Sequence, residues 1–221
     1  MRSPVQRRPR EEARKARTSV YRQHIFEAAE RVFAERGFEA AKVQEISELA
    51  GLSMGTIYGI FPGKTELFAA VREARGQEIL ELVRQVTARK TPPRETLLAL
   101  IEVYIDYFLA HPDFLRMHLR SGGSWALSPT PGSDVQVEHW REIHALQAAI
   151  FRRGIAAGVF VDEDPDYLAR TFSVMDQVLL ADWVANGMKA PRAELVRRLT
   201  EQVERSFCRS GAPARRASRH R

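Results

Sequence analysis

Cysteine is almost missing from this chain. Cys208 stands alone among 221 residues, so no internal disulfide can form and a disulfide-stapled scaffold is excluded. Long apolar runs are missing too: nothing approaches the ~20 consecutive apolar residues of a membrane-spanning helix. The basic first residues lead into no apolar segment of the kind that follows the charged start of a signal peptide. A soluble, cytoplasmic protein is the expectation. Alternating strand patterns are absent, and so are the constellations that carry catalysis. Gly59-Ile-Phe-Pro-Gly63-Lys64-Thr65 places three residues between its glycines, where a phosphate-binding loop needs four. Gly122-Gly-Ser124-Trp-Ala126 lacks the closing glycine of a nucleophile elbow. His139 and His144 are five apart and share no helical face for a metal. His111, Asp113 and His118 read as polar lining or solvated residues. No catalytic residue, metal ligand or cofactor is expected, and the chain does not read as an enzyme.

Acid is lacking at both ends. Residues 1–18 carry seven Lys/Arg against two Glu, and residues 208–221 carry five Arg and no acid. Each end is therefore +5, and a chain of net charge +6 leaves −4 for residues 19–207. Basic ends on an acidic body point to polyanion-binding arms rather than a uniformly basic surface. Residues 1–18, with Pro4 and Pro9, read as a disordered arm, and 210–221 as a disordered basic tail.

What remains is helical throughout. From Ser19 or Val20 to Arg36, Ile25, Ala28, Ala29, Val32 and Phe33 form one stripe, which Gly37 ends. Pro62-Gly63 precedes a long helix from Lys64 to about Arg89. Further helices are expected at 93–110, 112–120, 134–158, 165–187 and 191–209, with Asp164 capping Pro165 and Pro191 in a first turn. Ser121–Ser133, rich in glycine, serine and proline, reads as a loop.

The most informative stretch is Val43–Leu67. Val43, Ile46, Leu49 and Ala50 recur at helical spacing. Gly51 can take the left-handed conformation that reverses the chain, and Ser53 suits the cap of a second helix. That second helix, Met54 to Ile60, carries no charge and two glycines. Each interior glycine costs roughly 0.5–1 kcal/mol relative to alanine, so a helix kept this small reads as one that must approach something closely. The pattern is a helix-turn-helix, spanning about 42–61, whose second helix enters a DNA major groove. Phe26, Phe33, Phe38, Ile46, Leu49, Leu52, Ile57 and Phe61 are the expected core of a three-helix bundle over 19–66.

Ala50-Gly51-Leu52-Ser53-Met54-Gly55-Thr56-Ile57-Tyr58, followed by Phe61, Lys64 and Leu67 and preceded by Gly37-Phe38 and Ile46, resembles the TetR family of transcriptional regulators. The resemblance covers Val20–Leu67 by motif and the remainder by architecture alone. It implies an all-α fold of about nine helices, with the helix-turn-helix bundle followed by a larger effector-binding and dimerisation domain at 67–209. It implies DNA contacts from Met54, Gly55, Thr56, Tyr58, Gly59 and Lys64, and Lys42, Val43, Gln44 and Ser53 beside them are further candidates for the DNA-facing surface. The Thr56 and Tyr58 hydroxyls and the Lys64 ammonium would meet phosphates. Two departures stand out. Ala41-Lys42 replaces the usual hydroxyl residue opening the first motif helix, and Ile60 replaces a His or Tyr. Residues 19–66 hold five basic and seven acidic side chains, so Arg14, Lys15 and Arg17 are expected to supply attraction from the arm, in the adjacent minor groove.

The implied partners are a palindromic double-stranded DNA operator, a second copy of the chain and an unidentified small molecule, with no membrane. Tyr104, Phe108, Phe114, His118, Trp125, Trp140, His144, Phe172, Met175 and Asp176 are candidate lining for a largely apolar ligand. The helix at 165–187 is apolar nearly all round. With 191–209 it suits a four-helix dimer contact through Phe172, Val178, Leu179, Trp183, Leu195, Leu199 and Val203. The expected function is a dimeric repressor released from its operator by the ligand. The alternative is an architectural or activator protein without an effector.

Overall fold

The computed structural model describes residues 7–122, 124 and 134–209. Among them it holds nine helices: α1 Arg7–Ala40, α2 Val43–Ala50, α3 Met54–Tyr58, α4 Lys64–Ala88, α5 Pro93–Ala110, α6 Pro112–Arg120, α7 Asp134–Ala156, α8 Pro165–Ala185 and α9 Arg192–Phe207. The expected all-α architecture is thus observed. The one strand-like feature among the described residues is an isolated antiparallel bridge between Phe160 and Cys208. No helix described is long and apolar enough to cross a membrane.

The chain divides into two compact units. One takes the described residues of Met1–Arg75 with His111–Gly123, and the other those of Gly76–Ala110 with Ser124–Arg221. The boundary falls inside α4, beyond the 66/67 junction read from the sequence, and α6 joins the first unit.

The first unit is organised by aromatic packing on α1. Gly37 interrupts the helix at φ 77°, ψ 165°, a conformation open to glycine. The turn brings Phe38 back against Phe33, with ring centres 6.0 Å apart. Phe68 of α4 meets both rings at 5.0 Å, edge-on to Phe33. Ile25, Ala29, Ile46, Ile57 and Leu67 complete a buried core. Inside it Arg75 and Glu30 pair doubly, at 2.7 Å through Nε and 3.2 Å through Nη2. The Arg120 guanidinium of α6 donates to the carbonyls of Ala34 and Glu35 at 2.9 and 2.8 Å, closing α6 onto α1.

Two expectations fail here. The arm is helical from Arg7, because after Pro9, tolerated in a first turn, Glu11–Arg17 is built of good helix formers. Residues 1–6 and 210–221 lie outside the described residues. Leu49 is 47% exposed rather than core. At 100° per residue it sits roughly 110° from the centre of the face formed by Val43, Ile46, Ser47 and Ala50.

The second unit packs α5, α7, α8, α9 and the later turns of α4. Phe151 sits between Phe160 and Phe207, at 5.2 and 5.1 Å. Gly154 leaves room for the Phe160 ring, which any Cβ there would enter. Six of the residues expected at a dimer contact, Phe172, Leu179, Trp183, Leu195, Leu199 and Val203, are at most 5% exposed in the single chain. They are core, since α8 and α9 turn those faces inward within one protomer. Val178 alone of that set is open, at 59%. With Tyr167 and Val174 it forms an exposed stripe on α8 at i, i+7, i+11.

Candidate functional site

The helix-turn-helix is built by local hydrogen bonding. Gly51 closes α2 in the left-handed region (φ 65°, ψ 29°), its N–H donating to Glu48 O at 3.2 Å, while Leu52 N–H reaches Ser47 O at 3.0 Å. Ser53 then caps α3, its Oγ accepting from the Thr56 N–H at 3.1 Å. Ile57 is the buried anchor of α3. Gly55, Tyr58 and Gly59 are exposed, and Met54 and Thr56 half-exposed. From Gly51 to Gly63 no side chain is charged. The presented surface is thus backbone, two hydroxyl residues, one phenol and one thioether. Ser53 Oγ and Thr56 Oγ1 lie 2.9 Å apart. Whichever donates, the other keeps its proton for an outside acceptor, so the pair offers one O–H to a phosphate.

Not every expected contact residue reaches this surface. Lys64 turns inward: its ammonium donates to the carbonyls of Phe38, Glu39 and Ala41 at 2.7, 3.0 and 3.2 Å. It also lies 4.7 Å from the Phe38 ring centre. Its three protons are spent, so it ties down the end of α1 and does not meet a phosphate. The Val43 side chain is buried against the bundle. Gln44 is exposed but engages Glu48 at 3.0 Å through Nε2. Lys42 is exposed at the start of α2, where its N–H is capped by Glu45 at 3.3 Å. Arg17 is exposed on α1; Arg14 and Lys15 belong to the same helix, and their side chains lie outside the described residues. A helix is about 10–12 Å across and the minor groove about 6 Å wide, so a helical segment does not enter that groove as a flexible arm would.

A second site lies in the other unit. Tyr104 and Phe108 of α5, Trp140, Ile143 and Gln147 of α7, and Ser173 and Asp176 of α8 surround a cavity that Ile79 of α4 completes. Its volume is about 10 Å³, space for one water. Gln147 Nε2 donates to the Tyr104 hydroxyl at 3.0 Å, and Ser173 Oγ donates to Gln147 Oε1 at 3.2 Å. Burial pushes the Asp176 carboxyl up to about 8, so it is protonated at neutral pH. Burial, then the Asp176 charge, holds the Tyr104 phenol far above its ordinary value.

Of the lining expected from sequence, Tyr104, Phe108, Trp140 and Asp176 come together here. Phe172 stacks behind, 6.2 Å from the Tyr104 ring, and neither Met175 nor His144 is part of the wall. Phe114 and His118 belong to the first unit, where α6 packs on α1 and their rings lie 6.3 Å apart. Burial, reinforced by Arg72, lowers the His118 pKa to about 3. Trp125 lies outside the described residues. Ile79, Ile143, Gln147 and Ser173 went unread, although Ser173 and Asp176, three apart on an otherwise apolar face, signal a buried polar pair.

Comparison with known proteins agrees with this geometry. The model of bacterial regulatory proteins, tetR family, matches residues 25–71. The chain is 31% identical over 141 residues to the HTH-type transcriptional repressor SCO4008 of Streptomyces coelicolor, covering 64% of this chain and 68% of that one. It is 29% identical over 193 residues to the HTH-type transcriptional repressor AcnR of Corynebacterium diphtheriae, covering 85% and 93%. A tetR-family regulatory protein from Rhodococcus RHA1 has the same fold, with a TM-score of 0.72 at 19% identity over 86% of this chain and 98% of that one. With its helix-turn-helix, its helical second unit and these relatives, the chain belongs to the TetR family of DNA-binding transcriptional regulators.

Proposed function

We propose that the protein is a homodimeric repressor that reads its operator through the uncharged α3 surface. A small molecule entering the second-unit cavity then releases it. The observation that carries this reading is the capped α2–Gly51–α3 geometry, in which Ile57 anchors a helix whose outer face is Gly55, Thr56, Tyr58 and Gly59. An α3 without Arg, Lys, Asn or Gln has no bidentate base contact. Specificity then rests on Met54 against thymine methyls, on close backbone approach at Gly55 and Gly59, and on DNA shape. Lys42 and Arg17, both exposed, supply sequence-independent attraction to phosphates. The relatives SCO4008 and AcnR are themselves repressors, which supports repression over an architectural role.

Dimerisation is assigned to the Tyr167–Val174–Val178 stripe of α8, an apolar face that two copies can bury against each other about a twofold axis. The ligand acts by favouring a dimer geometry whose α3 helices no longer match half-sites one helical turn apart. The test is selection of bound duplexes from a random pool at stated salt. A palindromic consensus is expected, and sequence-blind binding governed by salt alone would overturn the reading.

A further inference from the structure

Asp176 is 4% exposed, and its Oδ1 has no hydrogen-bond partner among the described residues. Three of the other polar side chains of its cavity are engaged with one another: Gln147 joins Tyr104 to Ser173. What remains around the acid is aromatic and aliphatic, and none of the lining residues is Lys, Arg or His. An isolated carboxyl in such a place either carries a proton or awaits a cation, since a bare buried charge is far too costly.

We propose that Asp176 is the recognition group for an organic cation, a protonated amine on an apolar body, whose ammonium donates to Oδ1 within the ring faces of Tyr104, Phe108 and Trp140. This rests on the reading of the cavity as the effector site and names the ligand class it takes. The aromatic walls favour a cation through their negative faces, and low local polarity strengthens the pair of opposite charges. The apolar body follows from Ile79, Ile143 and the three rings, whose carbon surface makes up most of the wall around the acid and the engaged Gln147–Tyr104–Ser173 chain. With about 10 Å³ free, the walls must part to admit it, and that displacement of α5, α7 and α8 side chains couples occupancy to conformation.

The free protein holds Asp176 as the acid at neutral pH. An arriving ammonium keeps its own proton, and the carboxyl releases its proton to the buffer. The titratable group facing Asp176 is Tyr104 from α5, which stays neutral, while α4 and α7 present Ile79, Trp140, Ile143 and Gln147, which do not titrate.

The experiment is calorimetric titration of the full-length protein at neutral pH with 2-phenylethylammonium and 4-phenylbutylammonium. The matched neutral probes are 2-phenylethanol and 4-phenylbutan-1-ol. The cations are expected to bind at least about tenfold more tightly than the alcohols. Their heats should differ between buffers of unlike ionisation enthalpy, reporting proton release on the native protein without any variant. Asp176→Asn should remove the preference and the proton release, with its fold checked by thermal melting. Alcohols binding as tightly as the amines, or a preference for the amines that Asp176→Asn leaves intact, overturns the cation proposal. If the alcohols bind and Ile143→Trp blocks them, the effector-cavity reading stands without it. If neither probe type binds, both readings fail.

Discussion

The ammonium of Lys64 sits 2.7 Å from the carbonyl oxygen of Phe38, twenty-six residues earlier in the chain. With two further carbonyls and the Phe38 ring it closes the end of α1 onto the start of α4. A lysine at this point of a helix-turn-helix reads as a phosphate contact, yet here its charge answers the carbonyl ends left unsatisfied where α1 stops.

Replacing Lys64 by Met should therefore cost stability, by about 1–3 kcal/mol for charge-assisted hydrogen bonds to a part-buried group. The slope of DNA affinity against salt should stay as it is. Thermal melting and salt titration on one duplex measure both. A slope shallower by about one phosphate's worth, with stability unchanged, would return Lys64 to the DNA.

Asp176 should make stability fall with rising pH. Its carboxyl titrates at about 8 in the folded chain against 3.8 as its ordinary value. The folded state thus keeps a proton that the unfolded state has lost across that window. The contribution is greatest in acid and is lost as pH climbs towards the folded value. Asp176→Asn removes this dependence, so its advantage over the native chain should grow from pH 4 to pH 8, reaching a few kcal/mol in order of magnitude. Denaturant melts at several pH values would detect it, and a difference that stays flat would contradict the burial.

How much was legible beforehand depended on what each residue says locally. Pro93, Pro112 and Pro165 each open a helix where a missing N–H does no harm, and Gly51 and Ser53 mark the turn, so these boundaries were readable. The start of α1 was not, because a run such as Glu11–Arg17 suits a solvated arm and a helix equally. The faces of α8 and α9 were seen to be apolar, but periodicity carries no record of which chain covers them. Leu195 and Leu199 turned out to be covered from within. Lys64 failed for a related reason: carbonyl and phosphate oxygens ask for the same donor. The cavity was half legible, through its aromatics and Asp176, while Gln147 was silent until α7 and α8 came together.

Val178 separates the proposed interface from the core. At 59% exposure, Val178→Glu leaves the protomer's packing intact and sets two carboxylates facing across the proposed twofold axis. Sedimentation should show the dimer dissociating at micromolar concentration with the melting of the protomer little changed. Operator affinity should fall at least about tenfold as the paired half-sites are lost. Leu199→Glu, by contrast, should fail to fold. A Val178→Glu chain that stays dimeric would place the contact elsewhere.

The most direct test of the account falls on Gly55. It is exposed on α3, and a Cβ there would come no closer than 3.8 Å to Ser53 Oγ. The Cβ of Gly55→Val therefore meets no steric conflict inside the protein, and the effect of the substitution on stability should stay within about 1 kcal/mol. Outward, its branched side chain would occupy the space through which the backbone is proposed to approach the base pairs. The measurement is affinity for the selected operator and for a scrambled duplex, native chain against Gly55→Val, at one salt concentration. The account predicts operator affinity down at least about tenfold, scrambled-duplex affinity nearly unchanged and the melting temperature preserved. Operator affinity equal to the native value would contradict it.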